Sequence, residues 1–227
     1  GAYGCNASLA FHADRFSLVD RGFVYAIAHV RGGQEMGRSW YDQGRLDHKG
    51  NSFSDYIACT EHLIRTRWTG PGLVVASGTS AGGMIAGVVA NERPELYRAV
   101  VAHVPFVDVL STMEDPDQVL TANEYEEWGD PSVPEDYARM RAYSPFDNVR
   151  AQGYPHMLVF SAFNDIRVPF WEAARWVARL RARKTDANLL LLKTDMDAGH
   201  AGQPGRFAHL HERAFEAAFL LAVAGRQ

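Results

Sequence analysis

The segment that most constrains this fold is Ser77–Gly83, with the sequence SGTSAGG, because it joins two different kinds of apolar run. The residues before it, LVVA at 73–76, have the pattern of a buried strand, and those after it, MIAGVVA at 84–90, have the pattern of a helix. A G-x-S-x-G motif at such a junction is typical of a nucleophile elbow, a sharp turn that holds its serine in a strained backbone conformation between small neighbours. The motif therefore predicts that Ser80 is a nucleophile, with the N-terminus of the following helix directed at the reaction site.

The rest of the chain alternates strand patterns with helical patterns, which indicates a mostly parallel sheet with helices on both faces. The predicted strands are 22–30, 73–77, 98–106, 155–161 and 188–194, and the predicted helices are 53–67, 84–90, 170–184 and 205–224. An irregular insertion over 110–144, rich in acidic residues and proline, is expected beyond the carboxyl ends of the strands, where ligands bind in such sheets. The sequence thus predicts an α/β protein with the α/β-hydrolase fold over residues 1–227.

Composition excludes several classes of protein. A chain of 227 residues that is 47% hydrophobic and 22% charged is large enough for one well-filled domain. The net charge of −4 argues against nucleic acid as the main partner, and no apolar run approaches the roughly 20 residues that a membrane span needs. Cys5 and Cys59 do not make a disulfide framework, so we expect a reduced, cytoplasmic setting. Neither a Cys pair nor an H-E-x-x-H helix suggests a metal, and a serine mechanism needs no cofactor.

A serine nucleophile requires a neutral imidazole to accept its proton and a carboxylate to orient that imidazole. In α/β-hydrolases these residues follow in the order serine, acid, histidine. Asp165 and His200 fit this order, because each follows a predicted strand at the same edge of the sheet as the elbow. Asp195 and Asp197 are rival acids, although they lie close before His200 in its own loop. His103 lies within an apolar strand, so we predict a core residue there.

Ten further segments, spread nearly end to end, resemble the catalytic domain of the prolyl oligopeptidase family of serine peptidases, and within it the oligopeptidase B branch. They are DRGFVYA (20–26), HVRGG (29–33), SAGGM (80–84), RPEL (93–96), VPFVDV (104–109), EEWG (126–129), SPFDNV (144–149), YPH (154–156), KTD (184–186) and TDMDAGH (194–200). The resemblance implies that Ser80 attacks a peptide carbonyl, that His200 acts as general base and then acid, and that Asp165 orients His200.

The resemblance also implies an oxyanion hole and a substrate contact. The hydroxyl of Tyr3 and the backbone N–H of Ala81 match the family's two oxyanion donors. Arg167 matches an arginine that holds a backbone carbonyl of the substrate. The stretch after Tyr3 is shorter than in the family, and the aspartates that form a second basic subsite there have no clear counterpart. Asp14 is the acid whose sequence position is nearest to theirs. The resemblance therefore implies recognition of one basic residue and leaves a second basic subsite open.

A preference for arginine or lysine at P1 is implied by the segment TANEYEEWG at 121–129. Glu124 and Glu126 match the family's acidic positions there. If the segment is extended, residues two apart point the same way, so both carboxylates would face one pocket and Glu127 would face away. A P1 arginine would then relieve the repulsion between the two carboxylates and donate bidentate hydrogen bonds to them.

Family members also carry an N-terminal β-propeller and the first strands of the hydrolase sheet, for which this sequence has no counterpart. We therefore expect the catalytic domain at 1–227 to be incomplete at its N-terminus: either the rest lies on another chain, or this chain is a fragment or a truncated gene product. The predicted function is a serine endopeptidase that cleaves short peptides after Arg or Lys through an acyl-enzyme. Three alternatives stay open: another peptidase of the family, such as an acylaminoacyl- or dipeptidyl-peptidase, a carboxylesterase, or an inactive remnant that persists as an interaction module.

Overall fold

A four-stranded, all-parallel sheet lies at the centre of the computed structural model, which describes residues 1–225. The strands are neighbours in chain order: β1 (Val74–Thr79), β2 (Tyr97–His103), β3 (His156–Ala162) and β4 (Leu190–Asp195). The register pairs Thr79 with His103 and Ala162 with Asp195. The carboxyl ends of the strands therefore meet at one edge of the sheet, which is where sequence analysis places the functional residues.

Helices make the connections that parallel strands require. Before the sheet come α1 (Phe16–Val19), α2 (Arg38–Asp42) and α3 (Gly50–Arg65), and the later helices are α4 (Ala81–Glu92), α5 (Val109–Met113), α6 (Tyr125–Trp128), α7 (Pro134–Tyr143), α8 (Phe170–Arg183) and α9 (Ala208–Ala224). Helix α4 joins β1 to β2, α5 to α7 lie between β2 and β3, and α8 joins β3 to β4. Across residues 1–225 no helix has the length and apolar character needed to cross a bilayer.

Both faces of the sheet are buried, because alternate side chains of the central strands enter two separate cores. Val100 and Met157 belong to the larger core, which α4 and α8 cover. Val101 and Leu158 point to the opposite face and pack with Phe219 of α9. The four strand residues are at most 1% exposed, so each strand is apolar on both sides. This arrangement confirms the predicted α/β-hydrolase architecture and explains the near-continuous apolar strands.

The predicted strand at residues 22–30 is wrong. In the described chain this segment pairs with no strand, and β1 pairs with β2 alone. Val24 and Tyr25 in its middle are 58% and 56% exposed, whereas Val30 at its end is buried in the larger core. An apolar run predicts a strand only where a neighbouring strand can complete the ladder of backbone hydrogen bonds, and sequence pattern carries no information about that neighbour.

The segment at 110–144, expected to be irregular, is largely helical. It contains most of α5, a 3₁₀ helix at Thr121–Glu124, α6 and α7. Helix α7 begins at Pro134, whose fixed φ suits the first turn, and Glu135 and Asp136 follow it there. Acidic side chains in the first turn interact favourably with the helix dipole. The proline and the acids that suggested irregular structure therefore mark the start of a helix.

Glu172 of α8 is a fully buried carboxyl that fixes the beginning of this helical segment. One of its oxygens accepts hydrogen bonds from the N–H groups of Val107 (2.8 Å) and Asp108 (2.9 Å), and the other accepts from the Thr112 hydroxyl (2.6 Å). Burial raises the pKa of Glu172 to about 7, although the three hydrogen bonds act to lower it. The carboxyl thus ties α8 to the chain that lies beyond the strand ends.

We expect the Glu172 carboxyl to stabilise the protein more at about pH 5 than at about pH 7.5. Its pKa of about 7 in the folded state exceeds the ordinary 4.5, so the folded protein retains a proton that the unfolded chain has already lost. Stability from this group is therefore lost as the pH rises from 4.5 to about 7, by up to about 3 kcal/mol. Urea unfolding at both pH values measures the free energy of unfolding of the wild type and of Glu172→Gln, whose side chain cannot titrate. The same pH dependence in both proteins would contradict this expectation.

Candidate active site

Ser80 occupies the turn between β1 and α4 with φ 56° and ψ −121°, a backbone conformation that residues other than glycine rarely adopt. Its N–H donates to the carbonyl of His103 at 2.9 Å. Its own carbonyl accepts from the N–H groups of Gly83 at 2.8 Å and Phe106 at 3.1 Å. These backbone hydrogen bonds hold the strained turn at the carboxyl edge of the sheet, and the Ser80 side chain lines a cavity there. The geometry is that of a nucleophile elbow.

Two glycines allow this turn to close. A Cβ at Gly78 would overlap the carbonyl oxygen of Gly82, and a Cβ at Gly83 would lie 2.5 Å from the Cβ of Pro105. By contrast, a Cβ at Gly82 would meet nothing within 4 Å. The close packing of strand, turn and helix therefore requires glycine at 78 and 83, whereas the position at 82 is open.

His200 and Asp165 form a hydrogen-bonded pair at the same edge of the sheet. The distance from His200 Nδ1 to Asp165 Oδ2 is 2.7 Å, and the Asp165 side chain is fully buried. The other oxygen, Oδ1, accepts the N–H groups of Arg167 at 2.8 Å and Val168 at 2.9 Å. Because the carboxylate fixes the proton on Nδ1, the lone pair on Nε2 is left to accept a proton. The pair therefore has the orientation that a general base requires.

Asp195, one of the two rival acids, accepts hydrogen bonds within its own loop. Asp195 Oδ1 accepts the N–H groups of Asp197 at 3.0 Å and Ala198 at 2.9 Å, so it shapes the loop that leads to His200. His103, predicted as a core residue, is 9% exposed and stacks on Phe160 with ring centroids 4.5 Å apart. Asp165 is therefore the carboxylate that meets the His200 ring.

The cavity at the elbow has a volume of about 110 Å³. Across residues 1–225 no hydrogen bond joins Ser80 Oγ to His200, although both side chains line this cavity. Catalytic hydrogen bonds are often long in enzymes without substrate and tighten when substrate binds. The other lining residues come from the start of the chain, from the segment after β2 and from the loop before α8: Tyr3, Phe106, Thr112, Met113, Gln118, Leu120, Thr121, Glu124, Arg167 and Val168.

Tyr3 and Glu124 meet inside this cavity. The Tyr3 hydroxyl donates to Glu124 Oε2 at 3.0 Å, and the indole N–H of Trp128 donates to the same oxygen at 2.6 Å. The rings of Tyr3 and Trp128 pack edge to face with centroids 5.5 Å apart. Burial of the hydroxyl, followed by the negative charge of Glu124, raises the pKa of Tyr3. The side chain is 43% exposed as a whole, but its hydroxyl is in the cavity and stays protonated as a donor.

The turn that carries Tyr3 is fixed by the protein around it. Tyr3 has a positive φ of 59°, and the N–H of Gly4 donates to the carbonyl of Gly32 at 3.0 Å. Lys49, which is 2% exposed, donates from Nζ to the carbonyl of Gly1 at 2.5 Å. These contacts hold the residues on either side of Tyr3 and so place its hydroxyl.

The predicted geometry of the acidic segment is wrong. The chain is a 3₁₀ helix that ends at Glu124 and continues into α6, so residues two apart point in different directions. Glu124 lines the cavity, whereas Glu126 is exposed and outside it. Glu127, expected to face away, is 3% exposed, accepts the Tyr41 hydroxyl at 2.9 Å and lies 3.8 Å from Lys49 Nζ. Burial lowers the pKa of Lys49 to about 8 and raises that of Glu127.

Helix α4 begins at Ala81, directly after the elbow, so the Ala81 N–H belongs to the helix N-terminus, where donors are free for an anion.

Two contacts were not predicted from the sequence: that of Trp128 with Glu124 and that of Lys49 with Glu127. A tryptophan four residues after a glutamate on a helix is the local signal that could have indicated the first contact. Of the predicted site residues, the structure brings five side chains to one cavity: Tyr3, Ser80, Glu124, Arg167 and His200.

Comparison with known proteins places the chain in a family. The sequence model of the prolyl oligopeptidase family matches residues 9–227, and the chain belongs to that family. "Protease 2" of Moraxella lacunata is 50% identical over 99% of this chain and 33% of its own length. "Dipeptidyl aminopeptidase BI" of Pseudoxanthomonas mexicana is 46% identical over 99% of this chain and 31% of its own length.

Solved structures agree with this assignment. Oligopeptidase B from Leishmania major superimposes with a TM-score of 0.97 at 44% identity, over 99% of this chain and 31% of that protein. The predicted family resemblance and fold are therefore confirmed. The chain spans about a third of the length of the relatives it matches.

Gly83→Ala should lower the free energy of unfolding by about 1–3 kcal/mol, because the new Cβ forces Pro105 away from α4. Gly82→Ala is the matched control on the same helix. It should be neutral or stabilising by up to about 1 kcal/mol, because its Cβ has open space and alanine favours a helix over glycine. Urea unfolding of the two variants measures the difference, and equal effects would contradict this steric account of the elbow.

Proposed function

We propose that this chain carries the catalytic centre of a serine peptidase that cleaves short peptides on the carboxyl side of Arg or Lys. The observation that supports it best is the His200–Asp165 pair at 2.7 Å, which shares one cavity with a nucleophile elbow at Ser80. Glu124 supplies a carboxylate in the same cavity. A hydroxyl, a base and a specificity-determining acid thus surround one space.

In the first step, Ser80 Oγ attacks the peptide carbonyl carbon while its proton passes to His200 Nε2. Asp165 holds the other ring proton and stabilises the imidazolium that forms. The oxyanion of the tetrahedral intermediate accepts hydrogen bonds from the Ala81 N–H and the Tyr3 hydroxyl. Each such donor is worth about 3–4 kcal/mol of transition-state stabilisation.

The intermediate collapses when His200 gives its proton to the departing amine, which breaks the C–N bond and leaves an ester on Ser80. Water then attacks the ester while His200 takes its proton, and the oxyanion is stabilised as before. The second intermediate collapses when the ester C–O bond breaks and His200 returns the proton to Ser80 Oγ, which releases the peptide acid. Arg167 holds a backbone carbonyl of the substrate during both steps. Its side chain lines the cavity, and its own N–H donates to Asp165, so it lies beside the reacting groups.

Glu124 gives the preference for a basic P1 residue. Its carboxylate shares the cavity with apolar groups of Phe106 and Met113, where water provides little compensation for charge. A guanidinium or ammonium group entering there gains a charge-assisted hydrogen bond. Glu126 lies outside the cavity, so we assign it a weaker, long-range attraction for cationic substrates.

Glu124→Gln should lower kcat/KM for substrates with arginine at P1 by about 10- to 100-fold, because the carboxylate that pairs with the guanidinium group is replaced by a neutral amide. Substrates with alanine at P1 should be cleaved at least as well as by the wild type. Glu126→Gln, a change of the same kind outside the cavity, should cause a smaller loss. Steady-state kinetics on peptide amides provide the measurement, and equal losses for arginine and alanine would refute the assignment of Glu124.

A serine-directed phosphonate should label Ser80 stoichiometrically, as measured by the mass of the intact chain, and Ser80→Ala should remain unlabelled. Folded protein that resists the reagent would favour the inactive-remnant hypothesis.

The 46% identical dipeptidyl aminopeptidase supports release of dipeptides as a second candidate. Cleavage after arginine in a peptide with a blocked N-terminus would favour the endopeptidase, because a dipeptidyl peptidase requires a free amine.

A further inference from the structure

The Tyr3 hydroxyl, which we assign to the oxyanion hole, already donates its hydrogen bond to another group. A tyrosine hydroxyl has a single proton, and Tyr3 donates it to Glu124 Oε2, which lies 3.0 Å from the hydroxyl oxygen. It cannot stabilise an oxyanion at the same time. Building on the proposed function, we infer that Glu124 withholds the Tyr3 proton until a cationic side chain enters the cavity. Recognition of a basic residue and completion of the oxyanion hole are then one event.

The hold of Glu124 on this proton is strong because the carboxylate has no cationic partner. Its hydrogen bonds come from two neutral donors, the Tyr3 hydroxyl and the Trp128 indole. The ion pairs of the described residues do not include Glu124: Arg167 lines the same cavity without forming an ion pair with it, and Lys49 is paired with Glu127 at 3.8 Å. An uncompensated carboxylate attracts a hydroxyl proton more strongly than a neutral acceptor does.

A guanidinium group bound to Glu124 reverses this balance. It neutralises the carboxylate and weakens the attraction for the Tyr3 proton, while the oxyanion that forms on the substrate becomes the stronger acceptor. Tyr3, Ser80 and Glu124 line one cavity of about 110 Å³, so the proton changes acceptor when the O–H bond turns and the ring shifts slightly. The edge-to-face contact with Trp128 limits the movement of the Tyr3 ring to a small shift.

This coupling has a kinetic signature that a simple binding pocket lacks. With a neutral P1 side chain, the Tyr3 hydroxyl continues to donate to Glu124, and the substrate reacts with a weakened oxyanion hole. Discrimination against it therefore appears in kcat, because the missing interaction is made only in the transition state. A pocket that merely binds the cation would change KM and leave the turnover of neutral substrates independent of Glu124.

The test supplies the cation separately from the substrate. Hydrolysis of a blocked ester with alanine at P1 is measured while methylguanidinium chloride is titrated into the 227-residue protein. We expect kcat to rise by at least about tenfold, since one oxyanion donor is worth about 10²–10³ in kcat. Urea, which has a similar planar shape without the charge, serves as the control at equal concentration and should give no activation.

Three variants locate the effect. Tyr3→Phe should show no activation and a reduced kcat for arginine substrates, because no hydroxyl is available to be released. Glu124→Gln should turn over the alanine ester faster than the wild type without any cation, and methylguanidinium should add nothing. Tyr41→Phe is the matched control: it removes a tyrosine hydroxyl from the carboxylate of Glu127, outside the cavity, and should keep the activation.

The outcomes separate this inference from the function on which it rests. If methylguanidinium fails to activate a wild-type protein that cleaves arginine substrates normally, the coupling is overturned and the peptidase assignment stands. Equal activation of Tyr3→Phe and wild type would also overturn it. A protein that cleaves neither substrate and whose Ser80 resists the phosphonate fails the proposed function, and the coupling fails with it.

Discussion

The backbone of Ser80 is the constraint on which the site depends. Its positive φ costs on the order of 1–3 kcal/mol, a penalty that persists only where the surrounding structure imposes it. Hydrogen bonds from Ser80 to His103 and from Gly83 and Phe106 to Ser80 impose it here. Since His103 ends β2 and pairs with Thr79 in the sheet, the register of two strands determines where the Ser80 side chain lies. The packing of the core and the geometry of the candidate site are therefore set by the same interactions.

Four carboxylates near the strand ends differ in function because their partners differ. Asp165 is bound by two backbone N–H groups and an imidazole, so its orientation is fixed toward one ring. Glu172 has three neutral donors and complete burial, which suits a structural support. Glu127 has Lys49 and a tyrosine hydroxyl. Of the four, Glu124 alone combines neutral donors with a place on the cavity wall.

Local patterns in the sequence predicted those parts of the molecule that local interactions determine. The strand–turn–helix pattern predicted the turn at Ser80, and the ends of β3 and β4 predicted that the loops of Asp165 and His200 lie together, because parallel strands end at one edge of the sheet. The direction of the Glu126 side chain was predicted wrongly, because the alternation of a strand was assumed for a segment that is helical. The contact between Tyr41 and Glu127 joins residues 86 positions apart, and no local pattern marks such a pair. The strand predicted at 22–30 failed for a related reason, since pairing depends on a distant neighbour.

The edge of the sheet at β1 has a consequence for handling the protein. Within the described chain, residues 22–30 make no ladder with β1, so one side of this strand has backbone donors and acceptors without strand partners. Such a row is a template for a strand from another molecule. A strand of a second molecule that paired with β1 would continue the sheet from one chain to the next, and mass action would favour that pairing as the protein concentration rises.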